Sequence, residues 1–287
     1  MKAGMIGLGA MGIGMARNIA KAGYLTGVYN RTTVKAQSLA EELNVPTFGQ
    51  PEELAANVDI VLICVSADQD VLAMVEAIAK TIKPGSIVVD MSTVGSDTAK
   101  QAAAMLAEKQ AAFLDAPVSG GVEGAKNGTL AMMVGGNDSA LEKARPVLEA
   151  MTGRIMHMGA TGSGQATKAV NQIMAAGINQ AVTEALAFAQ AQNLPMDKLI
   201  EVISGGAAGN WFLQHRGPTM SRGTFAPGFK LALHHKDLKI CLGMAKQTGV
   251  STTLTDMTIA DYERLMQEGY GDEDISALYR IKAVDSE

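Results

Sequence analysis

The longest uninterrupted helical pattern in the chain starts at Ala166 and runs without a proline as far as Pro195. Its small and apolar residues recur at intervals of three and four, the spacing of one buried helix face, and fall at positions 169, 170, 173, 174, 177, 178, 181, 182, 185, 186 and 189. Such a helix would be roughly 40 Å long, enough to cross one domain and reach a second. Strand and helix patterns alternate before it, and helix patterns follow it. The sequence therefore predicts an α/β domain over residues 1–161 and an all-α domain over residues 162–287, joined by this helix.

Length, charge and cysteine content exclude several classes of protein. The 287 residues are enough for two domains, each with its own core. A net charge of −5 argues against nucleic acid as the main partner, because that partner favours a strongly basic face. The two cysteines, Cys64 and Cys241, read as core residues in a reducing compartment. We see neither a leader pattern nor an apolar run of membrane length, so we expect a cytoplasmic protein without membrane contact.

A strand, a glycine turn and a helix open the chain. The apolar run over residues 2–6 leads into a G-x-G-x-x-G motif, and apolar residues then continue at helical spacing. In this context the first glycine permits a tight turn, the second lets a diphosphate approach the backbone, and the third allows close helix packing. Glycine turns without a ligand are common, but the motif favours dinucleotide binding by Gly7, Leu8, Gly9, Ala10, Met11 and Gly12.

The second strand, over residues 25–29, ends in Asn30, Arg31 and Thr32. A fold that selects NAD usually places a carboxylate here for the ribose hydroxyls, about twenty residues past the glycines. Arg31 instead offers a planar fork of donors that suits a 2′-phosphate, and Lys35 follows one helical turn later. The alternative is an ordinary exposed arginine. We therefore expect NADP to be preferred, with NAD possible.

Two nearly continuous apolar runs, over residues 59–65 and 86–90, are typical of parallel strands buried on both faces. The first ends at Val65 and Ser66, and the second leads to Thr93. Ligands in such sheets sit at the carboxyl ends of the strands. Together with the helices between the strands, this pattern predicts a Rossmann-type, doubly wound parallel sheet with right-handed crossovers.

The segment over residues 116–124 is rich in glycine and reads as a loop. Ser119, Gly120 and Gly121 could hold a carboxylate through the hydroxyl and the exposed backbone N–H groups. The alternative is a flexible connector before the next strand. A second segment, residues 205–212, also reads as a loop and contains Trp211, the single tryptophan.

Lys168 and Asn171 lie three residues apart at the start of the long helical pattern, so they share one helix face. Taken alone, Lys168 reads best as a solvated lysine on a first turn. The adjacent histidines His234 and His235 point in different directions on a helix, and no Cys/His cluster accompanies them, so we expect no metal site.

Four motifs in order make the chain resemble the β-hydroxyacid dehydrogenase family nearly from end to end. They are the glycine motif with residues 15–18, the segment over residues 115–121, the segment over residues 162–171, and Lys236 with Asp237. The resemblance implies that Val65, Ser66, Thr93 and Lys236 border the cofactor. It also implies a substrate site that includes the residues Thr93, Ser119, Gly120, Gly121, Asn171 and Trp211.

The same resemblance makes Lys168 the catalytic acid/base and Asn171 the residue that orients the reacting oxygen. Many relatives carry a second asparagine after the first, where this chain has Gln172. The implied activity is an NADP-preferring interconversion of a small β-hydroxy acid and its semialdehyde, as in tartronate semialdehyde reductase or 3-hydroxyisobutyrate dehydrogenase. Residues 208–211 look closest to the former, whereas residues 30–32 resemble NADP-using glyoxylate/succinic semialdehyde reductases.

Other activities of proteins with this architecture fit the sequence less well. Imine reductases share the architecture but usually replace the lysine, and 6-phosphogluconate-type dehydrogenases are longer. A catalytically silent, cofactor-binding interaction module would lack Lys168 and carry basic or extra domains. By analogy with the family, we expect a homodimer or homotetramer.

Overall fold

The computed structural model describes residues 1–283. It divides into two compact units, residues 1–168 and the residues from Ala169 onward, and the division falls inside one long helix. The first unit contains a sheet with flanking helices, and the second is helical. The predicted fold class is confirmed: a Rossmann-like α/β domain, a long helix and a helical C-terminal region. The predicted domain limits at residues 161 and 162 stay a prediction.

Eight strands form one sheet in the first unit. They are β1 (Ala3–Ile6), β2 (Leu25–Tyr29), β3 (Ile60–Ile63), β4 (Ile87–Asp90), β5 (Ala112–Asp115), β6 (Val118–Ser119), β7 (Leu130–Gly136) and β8 (Thr152–Gly159). The order along the sheet is β2-β1-β3-β4-β5-β7-β6, and β8 also pairs with β7.

The first five strands pair in parallel, as predicted. The second part of the sheet differs from the prediction, because β7 runs antiparallel to both β5 and β6, while β8 runs parallel to β7. An apolar strand pattern indicates that a strand is buried but not in which direction it runs. The sequence therefore did not predict the reversed direction of β7.

The sheet is buried on both faces. In β3, Ile60 and Leu62 join one apolar cluster, whereas Val61 and Ile63 join another. Because successive side chains of a strand point to opposite faces, each cluster covers one side of the sheet. This is the reason for the continuous apolar runs in the sequence, and it leaves the carboxyl ends of the strands for polar residues.

Twelve α-helices and one 3₁₀ helix complete the part of the chain that the structure describes. In the first unit they are α1 (Ala10–Lys21), α2 (Thr33–Leu43), α3 (Pro51–Asn57), α4 (Asp68–Ile78), α5 (Ser96–Ala107), α6 (Gly121–Asn127) and α7 (Asp138–Leu148). The long helix α8 (Ser163–Ala191) follows, and then α9 (Met196–Ser204), α10 (Trp211–Met220), α11 (Leu231–Thr248), α12 (Thr253–Gln267) and a 3₁₀ helix (Ile275–Ile281).

Two segments predicted as loops contain regular structure. Residues 116–124 include β6 and the start of α6, and α10 begins at Trp211 inside the segment predicted as a loop over residues 205–212. The side chain of Asn210 accepts a hydrogen bond from Leu213 N at 2.9 Å, which caps α10. An asparagine before an apolar run is a helix-start signal, and the prediction was wrong because it gave the glycines more weight.

Candidate active site

The first glycine turn combines two glycines that the fold requires with one that it does not. Gly7 has a φ of +92°, and a Cβ there would overlap the carbonyl oxygen of Cys64. A Cβ on Gly12 would overlap the carbonyl oxygen of Gly7. Around Gly9, by contrast, no atom of the described residues other than its own and those of its two chain neighbours lies within 4 Å of such a Cβ. The open space at Gly9 fits the close approach of a ligand's diphosphate to the backbone.

The N-terminal end of α1 lies directly at this turn. Gly9 is the N-cap residue, and no side chain of the described chain caps the helix. The first turn carries no acidic residue. Its N–H groups and the helix dipole therefore favour an anion at this end.

Asn30 braces the turn from the end of β2. Its Oδ1 accepts a hydrogen bond from Leu8 N at 2.9 Å, and its Nδ2 donates to the carbonyl of Thr32 at 3.1 Å. Arg31, the next residue, is 89% exposed and lies 3.4 Å from Asp70 in an ion pair. The structure thus gives Asn30 a role within the protein and leaves the Arg31 fork in solvent.

Polar groups tie together the ends of β3 and β4. Val65 N donates to Ser92 Oγ at 2.9 Å, and Ser92 N donates to Asp90 Oδ1 at 3.0 Å. Asp90 is fully buried, and its Oδ2 has no hydrogen-bond partner among the described residues. Burial raises the pKa of Asp90 to about 7, partly offset by the hydrogen bonds from Ser92. Val65 and Thr93, two of the predicted cofactor residues, therefore lie in segments that these hydrogen bonds hold in place.

The carboxylate of Asp115, at the end of β5, accepts hydrogen bonds from the start of α8. Oδ1 accepts from Gly162 N at 2.8 Å and Oδ2 from Gln165 N at 2.9 Å. Burial raises the pKa of Asp115, while the backbone donors of α8 counteract that effect. The carboxylate sits at the positive end of the helix, where it is stabilised. Asp115 belongs to one of the four motifs, but its role at the start of α8 was not predicted from the sequence.

Gln165 makes a second connection from the first turn of α8. It is buried at 1% exposure, its Oε1 accepts from Val94 N at 3.2 Å, and its Nε2 donates to the carbonyl of Ser92 at 2.8 Å. Gln165 was also missed as a site residue. The sequence contained one signal for this role: Gln165 stands between two small residues at the start of the long helical pattern.

Lys168 is buried, with 8% of its surface exposed. Its Nζ donates to the carbonyl of Val118 at 3.0 Å. Val118 lies in β6, directly before Ser119, Gly120 and Gly121. The interpretation of Lys168 as a solvated surface lysine is therefore wrong, and the structure brings its ammonium group to the segment predicted to hold a carboxylate.

The backbone of that segment depends on its glycines. Gly120 has a φ of +131° and Gly121 a φ of +63°, values that residues with a Cβ rarely adopt. Ser119 pairs with Ala131 of β7, which fixes the start of the turn. The turn is therefore a built feature and not a loose connector.

In the second unit, a chain of polar contacts links four side chains. Asn171 Nδ2 donates to Gln172 Oε1 at 2.8 Å, and Gln172 Nε2 donates to Asp237 Oδ2 at 2.7 Å. The Asp237 carboxylate pairs with Lys236 at 3.1 Å. Gln172, where many relatives are expected to carry asparagine, thus connects Asn171 with the Lys236–Asp237 motif.

The remaining candidates of the second unit have contacts of their own. Trp211 is 56% exposed and stacks on His215, with ring centroids 4.4 Å apart. His234 contacts the Tyr262 hydroxyl at 3.1 Å, and His235 contacts Glu263 at 3.2 Å. Among residues 1–283 no group of three or more His, Cys, Asp or Glu side chains is arranged for a metal ion, nor is any helix long and apolar enough to cross a membrane.

A glycine turn after the first strand of a Rossmann-like sheet, followed by a long helix that carries a buried lysine, is the arrangement expected of an NAD(P)-dependent oxidoreductase. Residues 2–159 match the family model for the NAD-binding domain of 6-phosphogluconate dehydrogenase. Residues 162–282 match the model for the NAD-binding domain of NADP-dependent 3-hydroxyisobutyrate dehydrogenase. The chain belongs to the 3-hydroxyisobutyrate dehydrogenase family of NAD(P)-dependent β-hydroxyacid dehydrogenases, as its four motifs predicted.

Three relatives illustrate the range of this family. The chain is 37% identical to the 2-hydroxy-3-oxopropionate reductase of Escherichia coli, over 86% of this chain and 85% of the relative. It is 34% identical to an NAD-dependent L-serine dehydrogenase of Pseudomonas aeruginosa, over 96% of each chain. A solved structure of Mycobacterium tuberculosis 3-hydroxyisobutyrate dehydrogenase with L-serine has a TM-score of 0.91 and 32% identity, and the match covers 98% of both chains.

Proposed function

We propose that this enzyme is an NADP-preferring reductase that interconverts a small β-hydroxy acid and its semialdehyde, with Lys168 as the acid/base. The observation that carries the proposal is the buried Lys168 ammonium group, held 3.0 Å from the Val118 carbonyl at the edge of the Ser119–Gly121 turn. A buried amine needs a reason, because removing a charged group from water costs free energy. A reaction that moves a proton next to a bound carboxylate supplies one.

The glycine turn would hold the cofactor's diphosphate. The support is the open space at Gly9 and the N-terminal end of α1 without an acidic residue in its first turn. When bound, the dinucleotide supplies or accepts the hydride. We assign the borders of its site to Val65, Ser66 and Thr93, because two of these residues lie on loops that Ser92 and Gln165 fix.

The substrate's carboxylate would be held by the Ser119 hydroxyl and the N–H groups of Gly120 and Gly121. In reduction, Lys168 gives a proton to the aldehyde oxygen as hydride reaches the aldehyde carbon, so that an alcohol forms. In oxidation, the neutral amine takes the hydroxyl proton while hydride leaves the carbon. Such proton transfer by a positioned side chain contributes about 100- to 10,000-fold to a rate.

The proposed substrate class follows from what the relatives' names share. 3-Hydroxyisobutyrate, 2-hydroxy-3-oxopropionate and L-serine each carry a carboxylate and an oxygen on the β-carbon. One anion-binding turn and one acid/base would serve all three. The roles predicted for Asn171, Lys236 and Trp211 stay predictions, and so does a homo-oligomer, which the exposed apolar side chains of Val170 and Met174 on α8 support.

Absorbance of NADPH, and separately of NADH, tests this proposal. The acceptors are tartronate semialdehyde, methylmalonate semialdehyde, succinic semialdehyde and glyoxylate, and L-serine and 3-hydroxyisobutyrate are tested with the oxidised cofactors. We expect fast turnover with tartronate semialdehyde or methylmalonate semialdehyde, and a higher kcat/KM with NADPH than with NADH. Turnover of succinic semialdehyde or glyoxylate alone would move the assignment to that reductase activity, and higher efficiency with NADH would refute the NADP preference.

A further inference from the structure

The amide side chain of Gln165 bridges the first turn of α8 and the loop that follows β4. Its Oε1 accepts from Val94 N at 3.2 Å, and its Nε2 donates to the Ser92 carbonyl at 2.8 Å. The two bonds reach the residues on either side of Thr93. Gln165 therefore holds the backbone around Thr93 in the way that a neighbouring strand would hold it.

This bridge is buried, and both ends of the amide are used. Gln165 is 1% exposed, and a polar group at such a site must find partners inside the protein, because burial without a partner is unfavourable. The loop has a further anchor, since Ser92 Oγ accepts from Val65 N and Ser92 N donates to Asp90. The segment from Ser92 to Val94 is thus fixed from two sides.

Gln165 also shares a helix face with the buried lysine. Lys168 follows it by three residues in α8, so the two side chains lie next to each other along the helix. Lys168 in turn donates to the carbonyl of Val118. One turn of helix therefore carries both the contact to the Thr93 loop and the amine beside the Ser119–Gly121 turn.

We infer that Gln165 is a positioning residue that sets the Thr93 loop, and with it the nicotinamide, at the correct distance from Lys168. The inference rests on the proposed function, which puts the nicotinamide against Thr93 and makes Lys168 the acid/base. Hydride transfer and proton transfer must then meet at one carbonyl group. A misplacement of about 1 Å between such partners can cost about 100-fold in rate.

Two substitutions separate the roles of the amide. Gln165→Met keeps the length of the side chain and removes both hydrogen bonds. Gln165→Glu keeps an acceptor for Val94 N but cannot donate to the Ser92 carbonyl while ionised. We expect kcat to fall about 10- to 100-fold in Gln165→Met and by less in Gln165→Glu, with the dissociation constant of NADPH within about threefold of the wild type. The isotope effect with NADPH deuterated at C4 should increase, because hydride transfer becomes slower than the other steps.

The matched control is Gln180→Met. Gln180 lies in the same helix, is 4% exposed, and donates to Thr258 at 3.2 Å and to Asp261 at 2.8 Å. The same substitution there should lower the melting temperature to a similar extent but leave kcat and the isotope effect within about twofold of the wild type. A folded Gln165→Met protein with unchanged kcat and isotope effect would overturn the inference. Equal losses of kcat in both variants would do so as well.

Amide hydrogen exchange of the Val94 N–H provides a readout that does not depend on turnover. In Gln165→Met this amide should exchange at least about tenfold faster than in the wild type and in Gln180→Met, because it loses its acceptor. Unchanged exchange would overturn the bridge itself. If the wild type reduces none of the acceptors while the exchange rate rises as expected, the proposed function fails and the bridge stands as a structural contact, which refutes the catalytic part of the inference.

Discussion

Helices α1 and α8 both start directly after a glycine-rich turn, but their N-terminal ends are used in opposite ways. At α1, no side chain of residues 1–283 caps the helix and a Cβ on Gly9 would meet open space. At α8, the protein's own Asp115 carboxylate accepts from Gly162 N and Gln165 N. The α8 end is filled by an internal carboxylate, and we propose that the α1 end is kept for an anionic ligand.

The difference shows how one local pattern can serve two purposes. Glycines and a helix dipole attract an anion in either place. At α8, Asp115 satisfies that attraction and fixes the first turn, so that Gln165 and Lys168 are held in place. Under the proposed function, the first glycine turn binds the cofactor and the second positions Lys168 as the acid/base.

The largest effect is expected when the internal anion at α8 is removed. In Asp115→Asn, one of the two backbone N–H groups would face an amide N–H₂ group instead of an oxygen. We expect kcat to fall at least about 100-fold and the unfolding free energy to fall by about 2–4 kcal/mol. Urea unfolding and steady-state kinetics measure both. Wild-type stability and kcat would show that α8 does not depend on this carboxylate.

Asp90 is aligned with Asp115 in the register of β4 and β5. Removal of this second carboxylate should increase the stability of the protein, whereas removal of Asp115 should lower it. The pKa of Asp90 is raised to about 7 in the folded state. Between about pH 4 and pH 7, this carboxyl group is therefore protonated in the folded state and ionised in the unfolded state. The stability contributed by this group is present at low pH and is lost as pH rises through about 7. The stability gain of Asp90→Asn over the wild type should therefore grow by about 2–3 kcal/mol from pH 5 to pH 8.

Urea unfolding of both proteins at pH 5 and pH 8 tests the sign. The control is Asp197→Asn, because Asp197 lies at an exposed position of α9 and its removal should not change the pH dependence between pH 5 and pH 8. A stability difference that is constant with pH would contradict the assignment of the raised pKa to Asp90.

A smaller effect, on binding alone, is expected at the first glycine turn. Gly9→Ala puts a methyl group where the described protein leaves space, so the melting temperature should stay within about 2 °C of the wild type while the dinucleotide binds about 10- to 100-fold more weakly. Fluorescence titration with NADPH measures the affinity. Gly12→Ala serves as the contrast, because its Cβ would overlap the Gly7 carbonyl and should impair folding. Unchanged affinity in Gly9→Ala would show that no diphosphate approaches this residue.

The smallest effect concerns the choice between the two cofactors. Arg31→Ala should weaken NADPH about tenfold, or about 1.4 kcal/mol, and leave NADH within about twofold, because only NADPH brings a phosphate to the exposed fork. Asp70→Asn is the control, since it removes the exposed ion-pair partner of Arg31 without removing the cation. Equal losses for NADPH and NADH in Arg31→Ala would contradict a 2′-phosphate role.

Local features of the molecule could be predicted from the sequence. The glycine turns, the continuous apolar strands and the long helix each depend on residues close together in the chain, which is why the fold class and both helix starts were found. The partners of Asp115 and Gln165 were not found, because those contacts join residues 47 to 73 positions apart and depend on strand order and register. The direction of β7 was missed for the same reason.

A functional role for Lys168 was predicted only through the family resemblance, and its burial was not predicted from the residues. Taken alone, a lysine on a first helical turn favours solvent, since the helix end already carries partial positive charge. In the structure, two groups compensate for this unfavourable placement. The Asp115 carboxylate lies at that helix end, and the Val118 carbonyl accepts a hydrogen bond from Lys168 Nζ. Both compensating groups lie far away in the sequence.

The most direct test of the account is the rate of hydride transfer in Lys168→Ala. With saturating NADPH and the best acceptor, we expect kcat to fall about 1,000-fold while NADPH binding stays within about threefold of the wild type. Lys143→Ala, at an exposed position of α7, should keep wild-type kcat. A Lys168→Ala enzyme that is folded and turns over within about tenfold of the wild type would contradict the role of Lys168 as acid/base.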